Sequence, residues 1–410
     1  MFVSILLCLL FQSFEFLILD DGSTQADTVG VLDQHASEDG RIRLIRYSKN
    51  RGILATLRDG IKAARTNFIV RMDSDDIAMK ERLEKQYQFM SANTEIGVLG
   101  TAVEIFKDDD TSHSASSVSP SSSSSSPSPS SSSRIIQHPT SVGAVSWSLS
   151  FYCSIAHPTV MLRRDICCRN NSGLYSNGWM HAEDYEAWLR LDREGVKMAN
   201  VCQRREQNGG PIGPKAVIVS MRILCSCLLV ASFSDLQLPD VLLRLRKHSA
   251  NISSLARSSH IQHLHSRMAV QFHLTAMLQA PVAIEYVEGL IHPSRVKTIG
   301  ELTTLAYLLL AIEQAVLAKV PADNHAAIRK DCTARLGELA TIGMRLSDQP
   351  AADVSSSSPA IYGDIVPSGS LPSWFTLPSP NSSSSTLMSM WMKRGTDAAS
   401  LLAKMMMAGK

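Results

Sequence analysis

A cluster of carboxylates follows a strand-like run at residues 68–76, and it restricts the folds open to this chain more than any other feature. The run reads Phe-Ile-Val-Arg-Met-Asp-Ser-Asp-Asp, and its β-branched and aromatic residues predict a buried strand. Asp73, Asp75 and Asp76 come at its end. Mg²⁺ and Mn²⁺ prefer carboxylate oxygens, so the cluster predicts a divalent metal site. The same residues are equally typical of a solvated turn that begins a helix.

A second apolar run, at residues 15–21, also ends in carboxylates, at Asp20 and Asp21. Continuous apolar strands are typical of parallel sheets covered on both faces, and ligands bind at the carboxyl ends of such strands. Short strands alternate with helical apolar spacing up to residue 99. This order predicts an α/β fold with a mostly parallel sheet and flanking helices. We expect the two acidic strands to be adjacent and to bring their carboxylates to one edge.

Two later segments carry further candidate site residues. Glu183 and Asp184 begin a helix-like stretch, where acidic residues either complement the helix dipole or supply a general base above a substrate pocket. Arg246 and His248 end a basic strand-like run at residues 241–248. That run either clamps a diphosphate through charge-assisted hydrogen bonds or forms a solvated strand edge. The residues alone leave both pairs of alternatives open.

Composition separates the chain into regions and excludes some classes. The 410 residues, 44% of them hydrophobic, suffice for several domains, and a net charge of +2 gives no global electrostatic argument for nucleic acid. Its eight cysteines lack the paired Cys-x-x-Cys units of a zinc ribbon. Ser/Pro-rich composition predicts a disordered insertion at 112–133 and a largely disordered tail at 347–410. Apolar periodicity predicts a helical region at 256–346.

Taken in order, these motifs resemble the inverting glycosyltransferases of family two, which have the GT-A fold. The motifs are Asp-Asp-Gly-Ser-Thr at 20–24, Asn-Arg-Gly at 50–52, Asp-Ser-Asp-Asp at 73–76, Arg-Leu-Glu-Lys-Gln at 82–86, Ile-Gly-Val-Leu-Gly at 96–100, His-Pro-Thr-Val-Met at 157–161, Glu-Asp-Tyr-Glu-Ala-Trp at 183–188 and Leu-Arg-Lys-His at 245–248. The resemblance covers residues 4–255 and leaves the last third of the chain uncovered.

The resemblance implies a role for each candidate residue. Asp73 and Asp75 hold Mn²⁺ or Mg²⁺ and, through the metal, the donor diphosphate, while Asp184 is the catalytic base. The implied contacts to the nucleotide sugar are Asp20, Asp21, Asp73, Arg246 and His248. The implied reaction is one displacement that moves a sugar from a nucleotide-diphosphate donor, UDP-linked by analogy, to a saccharide or other hydroxyl acceptor.

The resemblance also predicts a domain organisation. Residues 1–111 form the nucleotide-sugar-binding half of a GT-A-like domain whose first strand is missing, and residues 134–255 form the acceptor-side half with an insertion at 203–234. A missing central strand leaves a second hypothesis, a catalytically inactive binding or scaffold protein with the same fold. A third hypothesis is membrane association through the apolar residues 216–233. The sequence does not choose between a cytoplasmic and a membrane-associated location.

Overall fold

The computed structural model describes residues 13–106, 134–169, 173–201, 216–221, 241–247 and 256–347. The chain forms two compact units. Unit 1 comprises Met1–Ser141, Ser154–Trp188 and Val196–His263, and unit 2 comprises Val142–Cys153, Leu189–Gly195 and Leu264–Lys410. The tracts predicted to be disordered at 112–133 and beyond residue 347 lie outside the described residues. The finer division into five regions stays a prediction.

A seven-stranded sheet forms the centre of unit 1. Its strands, in spatial order, are β2 (Ile42–Arg46), β1 (Phe14–Asp20), β10 (Ala216–Met221), β3 (Phe68–Asp73), β8 (Met161–Arg163), β5 (Ile96–Gly100) and β9 (Lys197–Asn200). Strand β8 runs antiparallel to both of its neighbours, and all the other pairs are parallel. The predicted α/β fold with a mostly parallel sheet is therefore confirmed.

A smaller sheet carries part of the candidate site. Its strands, in spatial order, are β4 (Ile77–Ala78), β11 (Val241–Arg246), β6 (Ala102–Phe106) and β7 (Arg134–Ile136). Strand β4 follows the acidic cluster directly and pairs antiparallel with β11, which is parallel to β6. This pairing brings the end of β11, and with it Arg246, beside the aspartates.

Helices flank the sheets and make up the described part of unit 2. They are α1 (Ala26–Glu38), α2 (Ile53–Ala63), α3 (Arg82–Ala92), α4 (Val142–Leu149), α5 (Arg164–Cys167), α6 (Glu183–Arg193), α7 (Ala256–Leu278), α8 (Ile284–Ile291), α9 (Ile299–Leu317) and α10 (His325–Ser347). Their apolar faces follow the helical spacing of the sequence; in α2, for example, Leu57 and Ile61 are buried. Helices α7 to α10 confirm the helical carboxyl-terminal region.

Helix α9 forms the core of unit 2 and packs against α4, α8 and α10. Thr298 caps it through a reciprocal hydrogen-bond pair with Glu301. Among the described residues, α9 is long and apolar enough to cross a membrane by length and composition alone. However, 61% of its most apolar window is buried inside the protein. Core helices of globular proteins have the same composition, so membrane association gains no specific support from α9.

The centre of the main sheet differs from the prediction in one important way. Strands β1 and β3 are not adjacent, because β10 lies between them and is parallel to both. Residues 216–221 belong to the stretch expected to be an insertion or a membrane segment, and they occupy the central position where the sheet was expected to lack a strand. Their Val-Ile-Val run suits a buried strand as well as either alternative, so sequence pattern alone does not separate the three.

Candidate active site

The three aspartates form a tight turn at the end of β3, called here the acidic turn (residues 73–76). The backbone N–H of Asp76 donates to the carbonyl oxygen of Asp73 at 3.4 Å and closes the turn. Carboxylate oxygens of Asp73, Asp75 and Asp76 lie within 4.8 Å of one another. Asp76 is 2% exposed, and its Oδ2 has no hydrogen-bond partner among the residues that the structure describes. Close carboxylates and an unsatisfied buried oxygen fit a divalent cation.

Burial and mutual repulsion make the acidic turn costly to ionise. Burial raises the pKa of Asp76 well above its ordinary value, and the charges of Asp73 and Asp75 raise it further. Burial also raises the pKa of Asp73, although the neighbouring Arg71 opposes that shift. A bound dication stabilises the ionised forms and offsets this repulsion, which is a second reason why the turn fits a metal.

Arg246 lies against the acidic turn, and its expected contact with the nucleotide sugar stays a prediction. Its backbone N–H donates to Oδ1 of Asp76 at 3.1 Å, and its Nε donates to the carbonyl oxygen of Asp75 at 3.0 Å. The guanidinium lies 4.9 Å from the ring centre of Phe106, and the residue is only 3% exposed. Arg246 therefore supports the shape of the turn. His248, the other predicted diphosphate ligand on this segment, lies outside the described residues.

A buried arginine beneath the turn was not assigned a role from the sequence. Nη1 of Arg71 donates to Oδ2 of Asp73 at 2.8 Å, and Nη2 donates to Oδ1 of the same carboxylate. Behind it, Nη2 of Arg82 donates to the carbonyl oxygen of Arg71 at 2.8 Å and to that of Pro158 at 2.9 Å. Burial lowers the pKa of Arg82 to about 9. Asp73 is thus held by the buried Arg71, and the backbone of Arg71 is held in turn by the buried Arg82.

The His-Pro-Thr segment (residues 157–159) accepts hydrogen bonds from Arg82 and Gln86. Nε2 of the Gln86 side chain donates to the carbonyl oxygens of Thr159 at 2.8 Å and Leu99 at 3.2 Å. His157 and the hydroxyl of Tyr175 are hydrogen-bonded at 2.7 Å. Burial, with the charge of Arg71, holds the pKa of His157 well below its usual range, so the ring is neutral. Hydrogen bonds from Arg82 and Gln86 therefore join the motifs at 82–86, 96–100 and 157–161 to one another, and Arg82 joins them to β3.

The second acidic strand end is also held firmly. Asp20 accepts the backbone N–H of Ser23 at 2.9 Å on Oδ1 and Nε of Arg46 at 2.8 Å on Oδ2. Burial raises the pKa of Asp20, but the hydrogen bonds from Ser23 and Arg46 outweigh it and hold the pKa below its ordinary value. Asp20 is therefore ionised at neutral pH and orders the loop after β1.

Asp21 joins two motifs that the sequence shows separately. Its two carboxylate oxygens accept the backbone N–H groups of Arg51 at 2.8 Å and Gly52 at 2.9 Å. Gly22, between Asp21 and the following loop, has φ of +80°, and a Cβ there would lie 2.5 Å from the backbone of Lys49. Only glycine fits this close approach. The Asp-Asp-Gly-Ser-Thr and Asn-Arg-Gly motifs therefore form one loop structure at the sheet edge.

The two acidic strand ends face the same edge of the sheet, with one strand between them. Leu19 and Asp73 both align with Met221 of β10. Because neighbouring strands lie about 4.8 Å apart, the two ends are separated by roughly 10 Å. The expected meeting of the acidic strand ends at one edge is therefore present, although the strands themselves are not neighbours.

Asp184 lies at the start of α6 within the electrostatic field of the acidic turn. Burial raises its pKa, a hydrogen bond from the backbone of Tyr185 lowers it, and the charges of Arg71 and Asp73 also act on it. Burial and the adjacent Asp184 raise the pKa of Glu183 to about 7. Oε2 of Glu183 is buried without a hydrogen-bond partner among the described residues. Two adjacent carboxyl groups at the start of α6 therefore have raised pKa values, whereas the sequence assigned a role only to Asp184.

This geometry can be compared with known proteins. Residues 5–156 match the family model described as Glycosyl transferase family 2. This region resembles glycosyltransferase family 2. The resemblance that the sequence motifs predicted is thus confirmed, while Asp184 and Arg246 lie beyond the matched residues.

Curated relatives point to the same family over a similar portion of the chain. The bifunctional glycosyltransferase pgtA of Dictyostelium discoideum is 30% identical over 203 residues, which is 47% of this chain and 26% of the relative. The O-antigen biosynthesis glycosyltransferase WbnJ of Escherichia coli is 25% identical over 45% of this chain and 62% of its own length. The putative glycosyltransferase EpsE of Bacillus subtilis is 27% identical over 47% of this chain and 60% of its own. The chain thus spans between a quarter and two thirds of the length of these relatives.

Two solved structures are similar at a lower level. S. aureus TarS is 14% identical, with a TM-score of 0.39 over 81% of this chain and 50% of its own. The mannosyltransferase PcManGT from Pyrobaculum calidifontis, solved in complex with GDP-Man and Mn²⁺, is 12% identical, with a TM-score of 0.36 over 81% of this chain and 77% of its own.

Proposed function

We propose that this chain is an inverting glycosyltransferase that moves a sugar from a nucleotide-diphosphate donor, with UDP as the expected nucleotide, to an acceptor hydroxyl. One observation carries the proposal. The acidic turn holds a buried Asp76 oxygen without a hydrogen-bond partner among the described residues, and the charge of Asp73 in this turn acts on the carboxyl of Asp184, whose pKa is raised. Carboxyl groups with strongly perturbed pKa values cluster at active sites. The glycosyltransferase names of the relatives support the same class of reaction.

In this proposal the acidic turn binds the donor diphosphate through Mn²⁺ or Mg²⁺. Asp73 and Asp75 are the proposed ligands, and the position of Asp76 in the same cluster makes it a third candidate. When bound, the cation supplies positive charge that stabilises the departing diphosphate. Asp20 and Asp21 order the loops at the same sheet edge, where we place the nucleoside. Arg246 holds the turn in shape through Asp75 and Asp76.

Asp184 is the proposed general base. It accepts the proton of the acceptor hydroxyl, whose oxygen then forms a bond to the anomeric carbon of the sugar as the bond from that carbon to the diphosphate oxygen breaks. A single displacement of this kind inverts the configuration at the anomeric carbon. A raised pKa makes Asp184 a stronger base than an ordinary aspartate, which favours proton transfer.

The inactive-scaffold hypothesis loses its main support in this structure. It rested on a sheet without its central strand, whereas β10 occupies the position between β1 and β3. The carboxyl groups also favour catalysis over binding alone. Buried carboxyl groups with raised pKa values destabilise the folded state at neutral pH, and a catalytic role gives a reason for that cost. Catalysis is therefore the function that the site supports best.

Donor turnover tests the proposal. The protein is incubated with UDP-, GDP- and dTDP-linked sugars, and the release of nucleoside diphosphate is measured with Mn²⁺, with EDTA, and after Mn²⁺ is restored. We expect slow hydrolysis of at least one donor that EDTA abolishes and Mn²⁺ restores, because water can replace the acceptor. Absence of metal-dependent release with every donor would contradict the proposal.

A further inference from the structure

Arg71 is placed where it can control the metal affinity of the acidic turn. The residue is 4% exposed and lies two positions before Asp73 in β3. Both of its terminal nitrogens donate to the carboxylate of Asp73, one to each oxygen. This fork is the strongest geometry for an arginine and a carboxylate, and it holds the carboxylate in one orientation.

The charge of Arg71 acts on several ionisable groups of the site and not on Asp73 alone. The carboxyl groups whose charges act on it are Asp73, Asp76 and Asp184, and Tyr175 also contributes. The nearby cation Arg82 donates to the backbone of Arg71 and is buried behind it. His157, also affected by Arg71, is neutral. Arg71 is therefore a buried cation close to several carboxylates at the edge where the donor is proposed to bind.

We propose that Arg71 is a built-in counter-ion that holds Asp73 ready for ligation and weakens the binding of a free divalent cation to the acidic turn. This inference rests on the proposed function, because it concerns the same metal site. A bare dication has to share the oxygens of Asp73 with Arg71 and is repelled by the guanidinium charge. A nucleoside diphosphate brings negative charge that offsets this repulsion, so metal and nucleotide bind best together.

The experiment measures Mn²⁺ binding directly, from the loss of the free-ion signal in electron paramagnetic resonance, with and without UDP. Arg71→Met and Arg71→Gln remove the charge, and Arg71→Lys keeps the charge but replaces the fork with one ammonium. Without UDP, we expect the dissociation constant for Mn²⁺ to fall about tenfold in the two neutral variants and about threefold in Arg71→Lys. The strengthening of Mn²⁺ binding by UDP should shrink by the same factors. Arg65→Met, which removes an arginine that is 70% exposed, is the matched control and should change neither value.

The outcomes separate this inference from the proposed function. Wild type that binds no Mn²⁺ even with UDP contradicts the proposed function. Wild type that binds Mn²⁺ with UDP, together with folded neutral variants whose affinity for bare Mn²⁺ is unchanged or weaker, overturns the counter-ion role alone. Removing one member of a buried ion pair destabilises a fold, so thermal unfolding of each variant is followed by circular dichroism. If both neutral variants unfold, Arg71→Lys decides, and an unchanged dissociation constant for bare Mn²⁺ overturns the inference.

Discussion

Asp184→Asn is expected to lower donor turnover about a thousandfold while leaving donor binding within about threefold of wild type. An amide of nearly the same shape cannot accept the proton of the acceptor, and general-base catalysis contributes about 10²- to 10⁴-fold to a rate. The measurement is nucleoside-diphosphate release together with calorimetric binding of the nucleotide in Mn²⁺. In wild type the rate should rise with pH through the raised pKa of Asp184, because only the ionised carboxylate accepts a proton.

Glu183→Gln is the matched control for that substitution, because both residues occupy the first turn of α6 and both have raised pKa values. We expect Glu183→Gln to retain at least about a tenth of the wild-type rate, because the proposal assigns the proton transfer to Asp184 alone. A large loss of turnover in Glu183→Gln with near-normal rates in Asp184→Asn would assign the base to Glu183 instead.

Val219→Pro is expected to destabilise unit 1 by about 3 kcal/mol or more and to abolish nucleotide binding. Val219 aligns with Leu17 of β1 on one side and Arg71 of β3 on the other. Proline has no N–H to donate to the ladder and is not accommodated in the interior of a sheet. Urea unfolding followed by far-ultraviolet circular dichroism measures the change.

Val219→Ile controls for the change of side chain, because isoleucine is apolar and β-branched and keeps its backbone N–H. It should unfold within about 1 kcal/mol of wild type. If Val219→Pro were as stable as Val219→Ile, β10 would not be a central strand, and the two acidic strand ends would have to be positioned in another way.

The sequence predicted the acidic strand ends well, and the physical reason is local. Apolar runs that end in aspartates, at residues 15–21 and 68–76, correspond to β1 and β3 with the carboxylates at the strand ends. The helix start at Glu183 was likewise visible from its acidic first turn. Secondary structure of this kind depends on residues that are neighbours in the chain, so the periodicity of the apolar residues predicts it directly.

The central strand could not be predicted, because strand order depends on contacts between distant segments. Residues 216–221 are apolar enough for a membrane segment or an insertion, and only their pairing with β1 and β3 identifies them as part of the sheet. The role of Arg71 was hidden for a related reason. It lies within an apolar strand, and its fork to Asp73 becomes visible only in the folded structure, where Arg71 is buried.

The most direct test of metal-dependent donor binding at the acidic turn is calorimetry with UDP and GDP, in Mn²⁺ and in EDTA. Wild type should bind one of these nucleotides in Mn²⁺ and lose that binding in EDTA, and Asp75→Ala should weaken it more than about tenfold. Asp165→Ala, which removes a carboxylate whose side chain is 70% exposed, should bind like wild type. Nucleotide binding that is absent in wild type, or that is unaffected by both EDTA and Asp75→Ala, would contradict the account.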